Sequence, residues 1–301
     1  MTTAPLEARP IGSPPPTSDG FLETPDGELL HVEHFIPPHR PPRLVAVFAH
    51  GFSAYAAPYR HVAQALVDAG IAATLYDARG HGHSTGRRGH VERFSDYTAD
   101  LARVVAQARA PYPDLAYALI GHSQGGAVVL DYLLSEPAHR PLCVVAAAPM
   151  LEIIVPVPWV ERALNRVFGP LIPRRAFPNH IQADMITRNL DVRKIFWRDP
   201  LVHHVATSRW LSEVQRAEAR IKAGATKMNV PIFLATAGDD RIVSPRAEDD
   251  FRDAVPRGLV TQKTYQPLFH ELFLEPERQQ VLDDMMAWLE ARMSTASAPA
   301  P

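Results

Sequence analysis

The segment Gly121-His122-Ser123-Gln124-Gly125 could do nucleophilic chemistry, because it frames a serine with glycines in the pattern G-x-S-x-G. The apolar run LAYALI precedes it and apolar residues at helical spacing follow, so the pattern predicts a strand that turns sharply into a helix at the serine. Only glycine neighbours leave room for so tight a turn. The turn would expose the hydroxyl and point the first N–H groups of the helix at an oxyanion beside it. A plain glycine-rich turn is the alternative interpretation.

A serine hydroxyl is a weak nucleophile, so this chemistry also needs a base and a carboxylate that orients the base. Two later loops contain these residue types, each directly after a predicted strand: Asp239 and Asp240 lie in one, and His270 lies in the other. The chain order of serine, aspartate and histidine is the order that accompanies this kind of turn. The agreement of three separate loops favours a catalytic triad of Ser123, one of the two aspartates, and His270.

The elements that must position these residues alternate along the chain. Apolar, β-branched runs such as Arg43 to Ala49 and Ile71 to Tyr76 predict buried strands, and helical spacing between such runs predicts crossover helices. This alternation predicts an α/β fold with a mostly parallel central sheet flanked by helices. The proline-rich middle of the chain has no strand-like run, which predicts an inserted cap of short helices. The expected parts are a disordered tail at 1–20, a core at 21–149 and 230–293, the cap at 150–229, and a disordered tail at 294–301.

Composition argues against several classes of protein. Lys and Arg number 31 against 33 Asp and Glu, a formal charge of -2, and the basic residues are scattered, so we expect no nucleic-acid partner. The first residues lack the apolar core of a secretory signal, and no apolar run of about 18 residues occurs, so we expect a soluble, cytoplasmic protein.

Three histidines near the second predicted buried strand could suggest a metal site. His81, His83 and His90 lie on or near a glycine-rich loop with no nearby carboxylate or thiolate partner, so by the usual spacing of ligands we expect no metal and no cofactor. We expect His81 instead to join Asp77 and Arg79 in a hydrogen-bonded network that braces the loops around the site.

Motifs over about Phe21 to Leu289 resemble those of the monoacylglycerol lipase and lysophospholipase group of serine α/β-hydrolases. They are His50-Gly51-Phe52, Asp77 to Ser84, Gly121 to Gly126, Gly238 to Val243, and His270 to Phe273 followed by Glu275-Pro276-Glu277. The resemblance implies an α/β-hydrolase fold with Ser123 as the nucleophile, His270 as the general base and Asp240 as its orienting acid. Asp240 is preferred to Asp239 because the family places its acid just before the Arg-Ile-Val segment.

The same resemblance implies that the backbone N–H groups of Phe52 and Gln124 form an oxyanion hole. It also implies hydrolysis of a small, lipid-like carboxylic ester through an acyl-enzyme intermediate. Two alternatives stay open. A serine peptidase of the proline-releasing kind shares the core and the triad, but it needs an anionic or amine-binding group in the cap. A non-catalytic scaffold that binds a small apolar ligand has no need of an intact triad.

The cap would decide which substrate is accepted. Trp159, Leu164 and Phe168 belong to an apolar set at helical spacing. One interpretation is that this set packs on the core. The other is that these residues line an acyl tunnel above Ser123, or make a transient contact with the membrane surface from which the substrate is drawn. The sequence leaves both interpretations open.

Overall fold

The computed structural model of the chain describes residues 14–158 and 171–297 and is built on one central β-sheet. In chain order the described strands are β1 (Ser18–Glu23), β2 (Leu29–Phe35), β3 (Leu44–Ala49), β4 (Ile71–Tyr76), β5 (Tyr117–His122), β6 (Cys143–Ala147), β7 (Ala176–Pro178), β8 (Val205–Thr207), β9 (Ile232–Ala237) and β10 (Val260–Tyr265). The described α-helices are α1 (Arg60–Asp68), α2 (Phe94–Arg109), α3 (Gln124–Leu134), α4 (Ala183–Ile186), α5 (Leu190–Phe196), α6 (Ser208–Gly224), α7 (Pro245–Ala254) and α8 (Arg278–Ser297). Short 3₁₀ helices lie at Ala57–Tyr59 and Ala225–Lys227.

The central sheet is parallel except at one edge. Its strand order is β1-β2-β4-β3-β5-β6-β9-β10, in which β1 and β2 run antiparallel to their neighbours and every pair from β4 to β10 is parallel. Every residue of β3, β4, β5, β6 and β9 is buried, as their apolar sequences predict for parallel strands covered on both faces. The predicted α/β fold with a mostly parallel sheet is confirmed.

Helices pack against one another around this sheet. α2 packs on α3 and α3 packs on α6, whereas α1 packs on α8. Within the two described ranges, no helix has both the length and the apolar content needed to cross a bilayer. Parallel strands present their carboxyl ends at one edge of the sheet, and the loops after β3, β5, β9 and β10 therefore meet there.

The segment between β6 and β9 was expected to be a helical cap without strands. Its described part contains α4, α5 and α6, but also an antiparallel pair formed by β7 and β8. The expectation that the segment contains no strand is therefore wrong at these two places. Each strand has only three residues, too few to display the alternation of polar and apolar side chains by which a strand is recognised in a sequence.

Regular structure begins and ends within the segments expected to be tails. β1 starts at Ser18, inside 1–20, and α8 continues to Ser297, inside 294–301. β1 is an edge strand with mostly exposed side chains, so its backbone pairing with β2 needs no apolar pattern. α8 is 20 residues long, and a helix that is already formed extends at little further cost through small polar residues.

Candidate active site

The turn between β5 and α3 holds Ser123 in a strained backbone conformation, with φ 53° and ψ −117°. A positive φ is uncommon for a residue with a side chain and persists only where the surroundings enforce it. The neighbouring glycines provide the space. A Cβ on Gly121 would lie 2.3 Å from the carbonyl oxygen of Gly125, and a Cβ on Gly125 would lie 2.0 Å from that of Ala49. The G-x-S-x-G segment therefore forms a strand, a sharp turn and a helix, as its pattern predicts.

The three residues expected to form a triad meet at the carboxyl edge of the sheet. The Oγ atom of Ser123 lies 2.8 Å from Nε2 of His270, and Nδ1 of His270 lies 2.8 Å from Oδ2 of Asp240. The other oxygen of Asp240 accepts hydrogen bonds from the backbone N–H groups of Ile242 and Val243, at 2.8 and 3.0 Å. Asp240 is thus fixed by its own loop while it holds the imidazole, and all three side chains are buried.

Asp239, the alternative acid, makes a different contact. Its carboxylate accepts a hydrogen bond from Arg241 at 3.2 Å, and both side chains of that pair are about half exposed. Only Asp240 of the two aspartates contacts the imidazole of His270. The structure therefore brings the preferred acid, and not its neighbour, to the histidine.

The surroundings of His270 suit a base that must accept a proton and return it. Burial is the largest influence on the pKa of His270 and lowers it, because an imidazolium ion is poorly solvated inside the protein. The charge and hydrogen bond of Asp240 act in the opposite direction, as does the charge of Glu271, and together they raise the pKa of His270 above its ordinary value. The hydrogen bond to Asp240 also leaves Nε2 of the neutral imidazole as the atom that faces Ser123.

Two backbone N–H groups stand beside the serine. That of Gln124 belongs to the next residue in the chain, and that of Phe52 follows Gly51, on which a Cβ would lie 3.1 Å from the Cβ of Ser123. Within the described part of the chain neither N–H group has a hydrogen-bond acceptor. The Gly51 carbonyl accepts a hydrogen bond from Nδ1 of His50 at 2.8 Å. Because the carbonyl and the N–H of a planar trans peptide point in opposite directions, the N–H of Phe52 points away from the His50 ring.

Trp210, in the cap helix α6, contacts both Phe52 and Gln124. Its ring stacks on Phe52 with a centroid separation of 3.9 Å, and its indole N–H donates a hydrogen bond to the side-chain oxygen of Gln124 at 2.8 Å. The sequence analysis missed this residue, because nothing in the amphipathic pattern of its helix distinguishes it from an ordinary buried tryptophan. The cap is therefore joined directly to the loop after β3 and to the first residue of α3, which follows Ser123.

Other buried residues form hydrogen bonds with the backbone of His270 and with the side chain of its neighbour Glu271. Nε2 of His122 lies 3.1 Å from the backbone carbonyl of His270, and burial lowers the pKa of His122, which keeps this ring neutral. The phenol of Tyr59 donates hydrogen bonds to both carboxylate oxygens of Glu271, at 3.0 and 2.9 Å. Tyr59 was not predicted from the sequence, and Glu271 was noted within the motif that begins at His270 but was given no role. The available signal was only the position of Glu271 directly after the histidine.

A cavity of about 480 Å³ opens over Ser123 between the core and the cap. Much of its wall is apolar, and its described lining includes Phe52, Met150, Ile181, Ile186, Val192, Ile195, Phe196, Ile242 and Leu274. Carboxylates of the cap, Asp191 and Asp199, and the carboxylate of Glu271 are polar groups on the same wall. Trp159, Leu164 and Phe168, which were predicted to contact substrate, lie outside the described residues.

In the loop that follows β4, the hydrogen bonds of Asp77, Arg79 and His81 differ from the predicted network. The two oxygens of Asp77 accept backbone N–H groups from two segments, each at 2.7 Å. Arg79 pairs with Asp26 and Asp100 instead, and the hydrogen bond of His81 among the described residues is to the Arg79 carbonyl, at 3.0 Å. The argument that the nearby histidines lack a carboxylate is wrong at His83, whose Nδ1 lies 3.5 Å from Oδ2 of Asp77. The chain bends back after β4, so this aspartate faces a histidine six positions later.

The chain is similar to known proteins over most of its length. The model of a family described as serine aminopeptidase, S33, matches residues 40–277. The chain is 32% identical over 262 residues to a monoacylglycerol lipase of Mycolicibacterium smegmatis, covering 85% of this chain and 91% of that one. It is 28% identical over 284 residues to an uncharacterized abhydrolase domain-containing protein of Dictyostelium discoideum, covering 93% of this chain but 30% of that longer relative. The crystal structure of Paleococcus ferrophilus monoacylglycerol lipase matches with a TM-score of 0.77 and 25% identity, covering 87% of this chain and 99% of that one.

Proposed function

Because the chain belongs to the serine aminopeptidase S33 family, and within it to the monoacylglycerol lipase group of serine α/β-hydrolases, we propose that it hydrolyses lipid-like monoacyl esters through an acyl-enzyme on Ser123. The observation that carries this proposal is the continuous chain of two 2.8 Å contacts from Ser123 through His270 to Asp240, at the wall of a largely apolar cavity. The geometry suits a serine nucleophile, and the apolar wall suits an acyl chain.

In the first half of the proposed reaction, Oγ of Ser123 attacks the ester carbonyl carbon while Nε2 of His270 takes the hydroxyl proton. Asp240 stabilises the imidazolium ion that forms. The N–H groups of Phe52 and Gln124 stabilise the negative charge that develops on the carbonyl oxygen. The intermediate then collapses: the bond to the alcohol breaks, His270 gives its proton to the leaving oxygen, and the acyl group stays on the serine.

The second half repeats these steps with water as the nucleophile. His270 takes a proton from the water as its oxygen attacks the acyl carbon, and it returns that proton to Oγ as the acid leaves. The free serine and the neutral imidazole are thereby restored. The same N–H groups serve both halves, because the same carbonyl oxygen becomes negative in each.

A lipid surface is the proposed source of substrate. Leu171, Leu190 and Trp197 belong to the cap and expose 75%, 64% and 51% of their surfaces to solvent. α5, which contains Leu190, has no buried residue although its inner side chains line the cavity. Exposed apolar side chains beside the cavity would let the cap touch a membrane briefly while a monoacyl ester enters.

A peptidase is the second candidate, and the cap carboxylates are the observation in its favour. A peptidase that removes N-terminal residues needs an anionic group for the substrate amine, and Asp191 and Asp199 lie in the cavity wall. Asp199, however, already accepts a hydrogen bond from Tyr55 at 2.6 Å, and Asp191 pairs with Lys194 at 3.0 Å. These existing partners rank the peptidase below the esterase.

A substrate panel separates the candidates. The purified chain should hydrolyse monooleoylglycerol and long-chain p-nitrophenyl esters and leave prolyl and alanyl amides intact. Ser123→Ala should lower ester turnover by about 10⁴-fold or more while thermal unfolding stays within a few degrees, since only one oxygen is removed. Hydrolysis of the amides that is faster than hydrolysis of the esters would favour the peptidase and contradict the proposed esterase activity. Ester hydrolysis that survives in the variant would exclude Ser123 as the nucleophile.

A further inference from the structure

Two histidines and an aspartate converge outside the proposed active site. His31 lies in β2, Asp77 directly follows β4, and His83 lies in the loop after it, so the three come from separate places in the chain. Nδ1 of His31 and Nδ1 of His83 each lie 3.5 Å from Oδ2 of Asp77, and one ligand atom from each residue falls within 4.8 Å of the others. Among the described residues this is the one group with such spacing.

The spacing matches a metal site more closely than a hydrogen-bonded network. Ligands 2.0–2.1 Å from a tetrahedral zinc ion lie about 3.3 Å from one another, and the two nitrogen-to-oxygen separations here are 3.5 Å. His31 is 9% exposed, and its Nδ1 has no hydrogen bond within the described residues although it faces the carboxylate. A buried polar atom without a partner needs an explanation, and a bound cation would supply one.

The surroundings favour the orientation that a metal ligand requires. Nε2 of His31 lies 3.5 Å from Oδ2 of Asp19, so a carboxylate stands beside the ring nitrogen opposite Nδ1. This is the arrangement of metal-ligating histidines, whose second nitrogen is held by a carboxylate or carbonyl. The Asp77 side chain is 1% exposed and that of His83 is 40% exposed, which leaves a path for an ion and a position for a water ligand.

We propose that His31, Asp77 and His83 bind one divalent transition-metal ion, of the class that accepts imidazole and carboxylate ligands, with Zn²⁺ as its representative. Two nitrogen ligands disfavour Mg²⁺ and Ca²⁺, which prefer oxygen. The ion would join β2 to the loop after β4. Asp77 also accepts the N–H of Ala56, so the same aspartate would connect the ion to the segment that follows Phe52.

The alternative is a metal-free cluster in which protonated His31 pairs with Asp77. Burial, the largest single influence, lowers the pKa of His31. The carboxylates of Asp77 and Asp19 and the charge of Glu33 act in the opposite direction and raise this pKa above its ordinary value. A protonated imidazole cannot bind a metal, so this alternative predicts no specific ion at any pH at which His31 stays protonated. Metal binding measured above neutral pH distinguishes the two.

The test is titration of the metal-free protein at pH 8 with Zn²⁺ by calorimetry, and with Co²⁺ by its visible absorption. The structure predicts one ion for each chain, and a rise in Tm of about 5 °C at a hundredfold excess over Kd. His83→Ala should abolish the saturable binding and the Tm rise, since it removes one of the three ligands. The side chain is 40% exposed, so its truncation should cost the metal-free protein little stability. His39→Ala, which removes an exposed histidine outside the group, should bind as the wild type does.

His270→Ala separates this site from the proposed catalytic one. Retained binding in that variant, with ester hydrolysis lost, supports the proposal whatever the outcome for the esterase. Binding that disappears with His270 would assign the ion to the triad and overturn the proposal. Absence of saturable binding of Zn²⁺ or Co²⁺ at concentrations up to about 1 mM would overturn it as well, as would unchanged binding in His83→Ala.

Discussion

The carboxyl edge of the sheet and helix α5 of the cap above it are built in opposite ways. At the edge, Ser123, Asp240 and His270 are buried and joined by contacts of 2.8 Å, and the loops that carry Ser123 and Asp240 start from fully buried strands. In the cap, α5 buries none of its residues and Trp197 exposes half of its surface. Reacting groups must be held within a fraction of an ångström, whereas a wall that admits an acyl chain only has to be apolar and able to adapt. This contrast supports the proposal that the ester bond is cleaved at the edge and that the cap selects the substrate.

The largest effect should come from the carboxylate that holds the imidazole. Asp240→Asn should lower kcat by about 10³- to 10⁴-fold, because an amide can hold the wrong tautomer of His270 and cannot stabilise the imidazolium. Asp239→Asn is the matched control, with the same chemical change one residue earlier, and should stay within a few-fold of wild type. Steady-state kinetics on a short p-nitrophenyl ester compares the two. Equal losses in kcat would contradict the assignment of Asp240, and not Asp239, as the carboxylate that orients His270.

A smaller and selective effect should come from the cap. Val192→Asn places an amide in the apolar wall, so kcat/KM for long-chain esters should fall by about tenfold, with acetate esters nearly unchanged. Tm should hardly move, since α5 buries no residue. Lys194→Arg, on the same helix but outside the cavity wall, keeps the charge beside Asp191 and should alter neither value. A loss that is equal for short and long esters would contradict a cap that selects by chain length. The expectation that Leu164 lines the acyl tunnel stays a prediction.

The smallest effect should be a shift in pH dependence. The raised pKa of His270 predicts that kcat/KM increases with pH until the imidazole is neutral, with its midpoint above pH 6.5. Glu271→Gln removes one negative charge that raises this pKa, so the midpoint should move to lower pH and relative activity below neutrality should increase. A profile of kcat/KM from pH 5 to 9 measures both. A midpoint that moves upward would show that Glu271 acts on His270 in some other way.

The parts that sequence could predict are those with local signals. The glycines around Ser123 and the apolar strand before it sit within a dozen residues, so the turn and the helix after it could be placed from their pattern. The contacts of Tyr59 with Glu271 join residues 212 positions apart, and no local pattern encodes them. The pairing of Asp77 with His31 was missed for the same reason. The strands β7 and β8 have three residues each, too few for a period to appear. Trp210 lies in the 17-residue helix α6, whose amphipathic pattern predicts a buried tryptophan but not its contacts.

The central claim is that Ser123 carries the acyl group. A fluorophosphonate that resembles a monoacyl ester should react with one serine in each chain, and peptide mapping by mass spectrometry locates the adduct. The account predicts a single adduct on Ser123, loss of ester hydrolysis in proportion to labelling, and no labelling of Ser123→Ala. An adduct on another serine, or full activity in a completely labelled protein, would contradict it.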